Sequence, residues 1–451
     1  MNYDSIIIGF GKGGKTLAGF LANKGEKIAL IEKSPKMYGG TCINIACLPS
    51  KNLVKNSDKI SKMDLSYDEK NIKFKESIKE KSEMVKMLNQ KNYDKLANLD
   101  NVDIIDGFGS FIDKNTVRVE TKDGDIELVG DKIFINTGAK TSFPNIEGIE
   151  DNKYVYDSEY IMELEELPKK LTIVGASYIS IEFASIFSGF GSEVIVLDRG
   201  EDFLKREDRD IAEEIKSILE KRGVVIHQNA STTKIENNKV FYKKDGKEEY
   251  IEDTIILLAT GRKPNIGKLN LEKAGVEIAD NGLIKVDKHL KTTAENIWAI
   301  GDVAEKQQFT YISLDSFRII KSSITDNGSY NLDKRKNVPY SMYVTPTFSR
   351  VGLSEEEAKD KGLNYKVKTM KTAEVPMAQV MGKTDGILKA LVDENSNKII
   401  GVMLLCDNAH ELINIVKLAM DLDAEYTFLR DNIYTHPTMA ESFNDLFNFN
   451  I

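Results

Sequence analysis

Cysteine is scarce in this chain: Cys42, Cys47 and Cys406 are the only three in 451 residues. Three thiols cannot build a disulfide framework, so the chain does not read as a small secreted, disulfide-stapled protein. Histidine is also sparse, with His227, His289, His410 and His436 scattered along the sequence. No pair of them has the i, i+4 spacing of a helical metal site, and no Cys-x-x-Cys accompanies them, so no metal site is expected. No run approaches 18 uninterrupted apolar residues, so no membrane span is expected. The first residues, Met1-Asn2-Tyr3-Asp4, lead straight into an apolar strand without the basic and apolar regions of a signal peptide, which makes the cytoplasm the expected location. Basic residues are outnumbered, 62 Lys and Arg against 71 Asp and Glu, for a net charge of −9. Such a surface repels phosphate backbones and argues against nucleic acid as a partner.

What is present is ordinary for a globular protein: 41% apolar and 29% charged residues. The length implies two to four domains. An internal repeat organises them. Ser5-Ile6-Ile7-Ile8 is a short buried-strand pattern that meets Gly9-Phe10-Gly11-Lys12-Gly13-Gly14, followed by a helical stretch to about Lys24. A second strand, Ile28-Ala29-Leu30-Ile31, ends on Glu32. Strand, glycine turn, helix, strand and acid together form a dinucleotide fingerprint. Gly9 permits the turn, Gly11 admits a pyrophosphate, Gly14 lets the helix pack, and Glu32 can accept hydrogen bonds from a ribose. The unit recurs 166 residues later without a gap: Gly9 matches Gly175, Ala18 matches Ala184, Gly25 matches Gly191, and Glu32 matches Asp198. In this copy Ser177 and Ser180 replace the second and third glycines. Two such folds imply two dinucleotides, one held tightly and one exchanging.

Between the repeats, residues 52–100 are rich in Lys, Glu, Ser and Asn and predict one or two surface helices. Residues 102–135 predict a small antiparallel sheet around Asp123-Gly124, and 235–258 predict another around Asp245-Gly246. From about residue 335, strands at 367–375, 387–392 and 399–405 precede terminal helices. Cys406 follows Leu404-Leu405 and reads as a buried structural thiol.

Ten residues after Glu32 stands Gly39-Gly40-Thr41-Cys42-Ile43-Asn44-Ile45-Ala46-Cys47-Leu48-Pro49-Ser50-Lys51. The two cysteines, read as lying slightly more than one turn apart on a helix, could form only a local disulfide that stabilises little. Beside a cofactor, such an easily reduced bond makes sense as a redox shuttle.

This run resembles the class I pyridine nucleotide–disulfide oxidoreductases, and the resemblance covers essentially the whole chain. Ala259-Thr260-Gly261-Arg262-Lys263-Pro264-Asn265, Ile300-Gly301-Asp302 and His436-Pro437-Thr438-Met439-Ala440-Glu441 match the family as well. The resemblance implies an α/β fold: two Rossmann-like dinucleotide-binding domains and a C-terminal α+β dimerisation domain. Their expected extents are 1–140 and 265–334 for FAD binding, 141–264 for NAD(P) binding, and 335–451 for the interface. It implies FAD on the first fold, NADPH or NADH on the second, and a homodimer. By the same resemblance Asp302 bonds the ribityl chain, Lys51 sits near flavin N5 paired with Glu182, and Tyr178 covers the flavin until nicotinamide displaces it. Cys47 is the thiolate facing the flavin and Cys42 the outer thiol that attacks substrate. His436, donated across the dimer, is the acid/base, and Glu441 fixes its tautomer. Implied cofactor contacts also include Lys33, Gly40, Thr41, Gly109, Thr137, Gly138, Ile179, Arg199, Gly261, Arg262 and Gly301. Asp198 suits the free 2′-hydroxyl of NADH, whereas Arg199, Lys205 and Arg206 suit a 2′-phosphate.

The C-terminus lacks a second cysteine pair, which disfavours mercuric reductases and large thioredoxin reductases, although Ser177 resembles the former. Gly9-Phe10-Gly11-Lys12-Gly13-Gly14-Lys15-Thr16-Leu17-Ala18, Phe309-Thr310-Tyr311-Ile312-Ser313-Leu314-Asp315 and the stretch from Tyr434 to Phe447 are similar to one subgroup. Its members are bacterial hypothiocyanous acid reductases and a reactive-chlorine resistance flavoprotein associated with copper(II) reduction. The expected substrate is therefore hypothiocyanous acid. Dihydrolipoamide dehydrogenase or a metal-ion reductase is the alternative, and a non-catalytic redox sensor is a third reading.

Overall fold

The computed structural model describes residues 1–449. The chain forms two compact units. The first comprises Met1–Asn52, Ile78–Ser142 and Gly261–Arg335; the second comprises Leu53–Ser77, Phe143–Thr260 and the residues from Lys336 onward.

The first unit is built on the amino-terminal repeat. Strand β1 (Asn2–Ile8), helix α1 (Lys12–Ala22) and strand β2 (Ile28–Glu32) follow the expected order. Strands β3 (Val102–Asp106), β4 (Phe108–Phe111), β5 (Thr116–Thr121) and β6 (Gly124–Ile135) complete a sheet ordered β3-β2-β1-β6-β5-β4, with Ile297–Ala299 added beside β6. β3, β2, β1 and β6 run parallel, whereas β4 and β5 pair antiparallel. The 102–135 stretch is thus not a separate antiparallel sheet. β6 is 12 residues long: Gly124–Val129 pair with β5, and Val129–Ile135 pair with β1 from Asn2 to Ile8. Alternation in its first half and the near-continuous apolar run Ile133-Phe134-Ile135 in its second reflect one solvated face and then two buried ones. Ile7, Leu17, Ala18, Leu21, Leu30 and Phe134 form the core between α1 and the sheet, where each large apolar side chain contributes about 1.5–3 kcal/mol.

The second unit holds the second repeat. Its parallel sheet is ordered Val225–His227, Glu193–Leu197, Lys170–Val174, Ile255–Leu258, Val155–Tyr156. Helix Tyr178–Phe190 starts with a capping box in which Ser177 and Ser180 exchange side-chain and backbone bonds. The two serines that replace glycines therefore satisfy each other's backbone N–H groups at the helix start. Ala230–Glu236, Lys239–Lys244 and Lys247–Ile251 make the expected antiparallel meander, while Ile255–Leu258 joins the parallel sheet instead. Residues from Tyr340 form a five-stranded antiparallel sheet ordered Tyr340–Met342, Phe348–Gly352, Ile399–Leu405, Ile387–Asp393, Tyr365–Lys371. The expected strand at 367–375 stops at Lys371, where Thr372–Glu374 turn into a 3₁₀ segment. Cys406 is fully buried against this sheet, and burial raises its thiol pKa to about 12.

The charged 52–100 region forms two helices, α3 (Cys47–Ser61) and α4 (Tyr67–Ala97), after the short α2 (Thr41–Asn44). Among the described residues no helix is long and apolar enough to cross a membrane.

Candidate functional site

The glycine turn after β1 is closed from below by a residue the sequence reading missed. A Cβ at Gly9 would lie 2.3 Å from the Asn136 carbonyl oxygen, and one at Gly11 would lie 2.6 Å from Asn136 Oδ1. Gly9 also adopts φ +106°, a left-handed conformation that side chains resist. Asn136 Oδ1 accepts the Gly14 N–H at 2.9 Å, and its Nδ2 donates to the Ile300 carbonyl at 2.9 Å. The signal was an Asn closing a buried apolar strand just before Thr137-Gly138. Glu32, at the end of β2, accepts the N–H groups of Phe10 (3.0 Å) and Ser34 (3.2 Å). Burial raises its carboxyl pKa while these bonds oppose the shift. Lys33 follows it.

The same unit gathers the other expected cofactor residues. Gly40 packs so closely that a Cβ there would lie 2.7 Å from Gly11 Cα, and Thr41 opens α2. Gly109 lies in β4; Thr137 and Gly138 follow β6; Gly261 precedes the short strand Arg262–Pro264, whose Arg262 side chain bonds the Ala139 carbonyl. Gly301 and Asp302 open a 3₁₀ turn after Ile297–Ala299. Burial raises the Asp302 carboxyl, and the Arg262 charge works against it. The Thr137 hydroxyl is buried and has no hydrogen-bond partner among the described residues. A narrow glycine turn, an acid at the end of β2, a half-buried acid at 302 and an orphaned hydroxyl together fit a flavin dinucleotide.

The cysteine pair lies beside this cradle. Contrary to the single-helix expectation, Cys42 sits in α2 and Cys47 starts α3. Ile45 leaves helical geometry at φ −137°, ψ 7°. Pro49 supplies the reason: it lacks an N–H, and in one continuous helix its ring would strike the Ile45 carbonyl. In the observed arrangement Pro49 falls in the first turn of α3, where no N–H partner is required. The break leaves Cys47 at a helix N-terminus, which stabilises negative charge. The Cys42 thiol pKa is raised, first by its hydrogen bond to Cys47 and then by burial, while Thr310 and Lys51 pull it down. Cys47 Sγ also lies 3.6 Å from Thr310 Oγ1. Burial and the contact with Cys47 thus both act against charge on the Cys42 thiol. Lys51 stands one turn further along α3, with Nζ 3.4 Å from Ser50 Oγ.

The second unit carries the remaining residues. Gly175 ends the strand Lys170–Val174, and Tyr178, Ile179 and Glu182 lie on the helix it introduces. Glu182 accepts the Tyr343 N–H at 2.7 Å. The hydroxyl of Tyr178 bonds Glu207, and its ring stacks on Tyr340 at 5.5 Å. Tyr340 also donates to Glu207, at 2.7 Å, and Arg350 pairs with Glu207 at 3.4 Å. Burial and the Glu207 charge raise the Tyr178 phenol pKa. Nothing in the sequence pattern announced this buried cluster, because its members are far apart in the chain. Asp198 accepts the Gly200 N–H at 2.9 Å, and burial raises its carboxyl; Arg199 beside it is exposed. His436 is exposed, and its Nδ1 lies 2.9 Å from Glu441 Oε2; Glu441 also accepts the Thr438 N–H at 3.3 Å.

Comparison with known proteins agrees with this geometry. Residues 3–319 match the family model "Pyridine nucleotide-disulphide oxidoreductase", and residues 338–447 match that family's dimerisation domain. The chain is 46% identical over 446 residues to the probable pyridine nucleotide-disulfide oxidoreductase RclA of Escherichia coli, covering 99% of each protein. It is 34% identical to a mercuric reductase of Lysinibacillus sphaericus over 98% of this chain and 81% of that protein. It is 28% identical to the dihydrolipoyl dehydrogenase of Bacillus subtilis over 97% and 94%. The solved structure described as the HOCl-induced flavoprotein disulfide reductase RclA superposes with a TM-score of 0.93, covering 100% of each chain, and its Cu(II) complex superposes equally well over 99% of each. The chain thus belongs to the pyridine nucleotide–disulfide oxidoreductase family: it is a flavoprotein disulfide oxidoreductase that uses FAD and NAD(P)H.

Proposed function

We propose that this enzyme reduces hypothiocyanous acid to thiocyanate and water at the expense of NADPH or NADH. The observation that carries the reading is the Cys42–Cys47 dithiol, with Cys42 on α2 and Cys47 at the N-terminus of α3. The full-length likeness to an HOCl-induced flavoprotein disulfide reductase adds support. Bound FAD supplies two-electron transfer between nicotinamide and the cysteine pair. The chain's own residues do the rest. Cys42, as thiolate, attacks the substrate sulfur; the S–O bond breaks, and hydroxide leaves as water with a proton from His436. Cys47 then attacks Cys42 Sγ, expels thiocyanate and forms the disulfide. With the nicotinamide hydride as the source of both electrons, one NADPH and one hypothiocyanous acid yield NADP⁺, thiocyanate and water.

In this reading Glu32, Thr137 and Asp302 hold FAD, Lys51 and Glu182 border the flavin, and Tyr178 gates the nicotinamide side. Residues 1–140 and 265–334 serve as the FAD domain, 141–264 as the NAD(P) domain, and 335–451 as the interface of a cytoplasmic homodimer. Exposed Leu418, Leu422, Phe428 and Ile433 in the matched dimerisation domain support that interface.

The test is kcat/KM for hypothiocyanous acid, glutathione disulfide, lipoamide, mercuric ion and copper(II) with one preparation. Hypothiocyanous acid should lead by at least about tenfold, or 1.4 kcal/mol in transition-state binding. The Cu(II) complex of the relative favours copper(II) as the second reading. A lead by copper(II) or lipoamide would replace the proposal.

A further inference from the structure

α2 is a single turn, and little in its own sequence holds it in place. Gly39 and Gly40 precede it at φ +96° and +83°, the left-handed region that glycine enters without steric cost. Ile45 leaves helical geometry behind it. Four residues are too few for a helix to persist on propensity alone. Yet this turn carries Cys42, whose thiol has to meet Cys47 at the start of α3. The order of the turn therefore comes from other parts of the fold.

One face of α4 supplies it. Asn89, Asn92, Tyr93 and Leu96 fall at i, i+3, i+4 and i+7 on that helix. Asn89 Nδ2 donates to Asn44 Oδ1 at 3.0 Å and reaches the Pro35 and Tyr38 carbonyls at 3.2 and 3.4 Å. Buried Asn44 passes the restraint on: its Nδ2 donates to the Tyr38 and Gly40 carbonyls at 3.0 and 2.9 Å. The Tyr93 and Tyr38 rings pack with centroids 4.8 Å apart, and Leu96 shares a core with Tyr38. Asn92 lies against Gly39, where a Cβ would come within 3.2 Å of its Cγ. Asn92 Oδ1 also accepts the Lys15 ammonium, which reaches the Gly39 carbonyl at 3.5 Å. Asn89 stands 45 residues from Asn44 in the chain, in a segment whose composition announces only a surface helix.

We propose that Asn89 and Asn92 of α4 are positioning residues for the outer cysteine: they hold the strap from Gly39 to Asn44 so that Cys42 stays within reach of Cys47. The inference rests on the reading of the two cysteines as a redox pair. Its consequence is an effective concentration. Two thiols held in register close to a disulfide far more readily than two that wander, because the entropy of bringing them together is already lost. A loosened strap returns that freedom to the dithiol and shifts the equilibrium toward it.

The experiment equilibrates the FAD-bound enzyme with mixtures of reduced and oxidised dithiothreitol. Cys42 and Cys47 give up two electrons and two protons as their S–S bond forms, and oxidised dithiothreitol takes them up as its own S–S bond breaks. Acid quenching, alkylation and peptide mass spectrometry read the fraction of Cys42–Cys47 disulfide. Asn89→Leu, which nearly keeps the side-chain volume and removes the amide, should lower the equilibrium constant for disulfide formation by about fivefold or more. Asn92→Leu should lower it as well. Gln90→Leu, at an exposed position of the same helix, should leave it unchanged. Asn89→Ala takes the place of Asn89→Leu if that variant fails to fold. An unchanged constant in the Asn89 and Asn92 variants, or an equal fall in Gln90→Leu, overturns the proposal. A lower melting temperature with an unchanged constant overturns it too, because the asparagines then stabilise the fold without positioning the thiol. Failure of the unsubstituted enzyme to form the Cys42–Cys47 disulfide would instead overturn the redox-pair reading beneath it.

Discussion

His436 Nδ1 lies 2.9 Å from Glu441 Oε2, so the carboxylate engages one nitrogen of an exposed imidazole. Glu441 is itself held by the Thr438 N–H, which fixes the carboxylate and through it the ring. The pair has the form of an acid/base with its orienting carboxylate.

His436→Gln should lower turnover with the oxidant by about 10²–10⁴-fold, and Glu441→Gln by less. Stopped-flow reduction of the flavin by NADPH should be unchanged in both, because that half-reaction does not need the imidazole. Equal slowing of both half-reactions would remove His436 from the acid/base role. If each site is shared between subunits, inactive Cys42→Ser and His436→Ala chains should regain one working site per heterodimer. No recovery in verified heterodimers counts against sharing.

The position of Cys47 at the N-terminus of α3 leads to a spectroscopic expectation. Cys42→Ser should show a long-wavelength thiolate-to-flavin band without any reductant, since Cys47 remains a thiolate. Cys47→Ser should lack the band even when reduced. The reverse outcome exchanges the two roles.

Asn136 closes the first glycine turn with two buried hydrogen bonds. Asn136→Leu would strand the Gly14 N–H and the Ile300 carbonyl, at about 1–3 kcal/mol for each buried group. The variant should melt at lower temperature and release FAD on gel filtration. Unchanged stability and full FAD retention would show that the turn holds without its prop.

In the proposed nucleotide site a half-buried Asp198 is followed in sequence by exposed Arg199, Lys205 and Arg206. The carboxylate suits a 2′-hydroxyl and the cations a 2′-phosphate, so both nucleotides should support turnover, with NADPH somewhat preferred. A kcat/KM ratio above about 100, roughly 2.7 kcal/mol, would show that one of these two groups does not meet the nucleotide. Arg199→Ala should weaken NADPH more than NADH.

The sequence by itself determined the two βαβ units, the dithiol and the His436-to-Glu441 motif. Each is a local pattern in which strand, turn and helix residues lie within about thirty positions, and backbone sterics act at that range. Even there, one local signal was underweighted: Pro49 splits the helix between the cysteines. Only tertiary structure decided what lies under the glycine turn, what shares Tyr178, and what holds the Lys15 ammonium. Gly14 meets Asn136 across 122 residues, Tyr178 meets Tyr340 across 162, and Lys15 meets Asn92 across 77. The strand at 102–106 likewise became parallel because its partner was the distant β2. Such pairings form when separate buried surfaces close on each other and their polar groups must find partners away from water. That requirement acts through space, so periodicity and spacing along the chain carry no record of which residue will answer it.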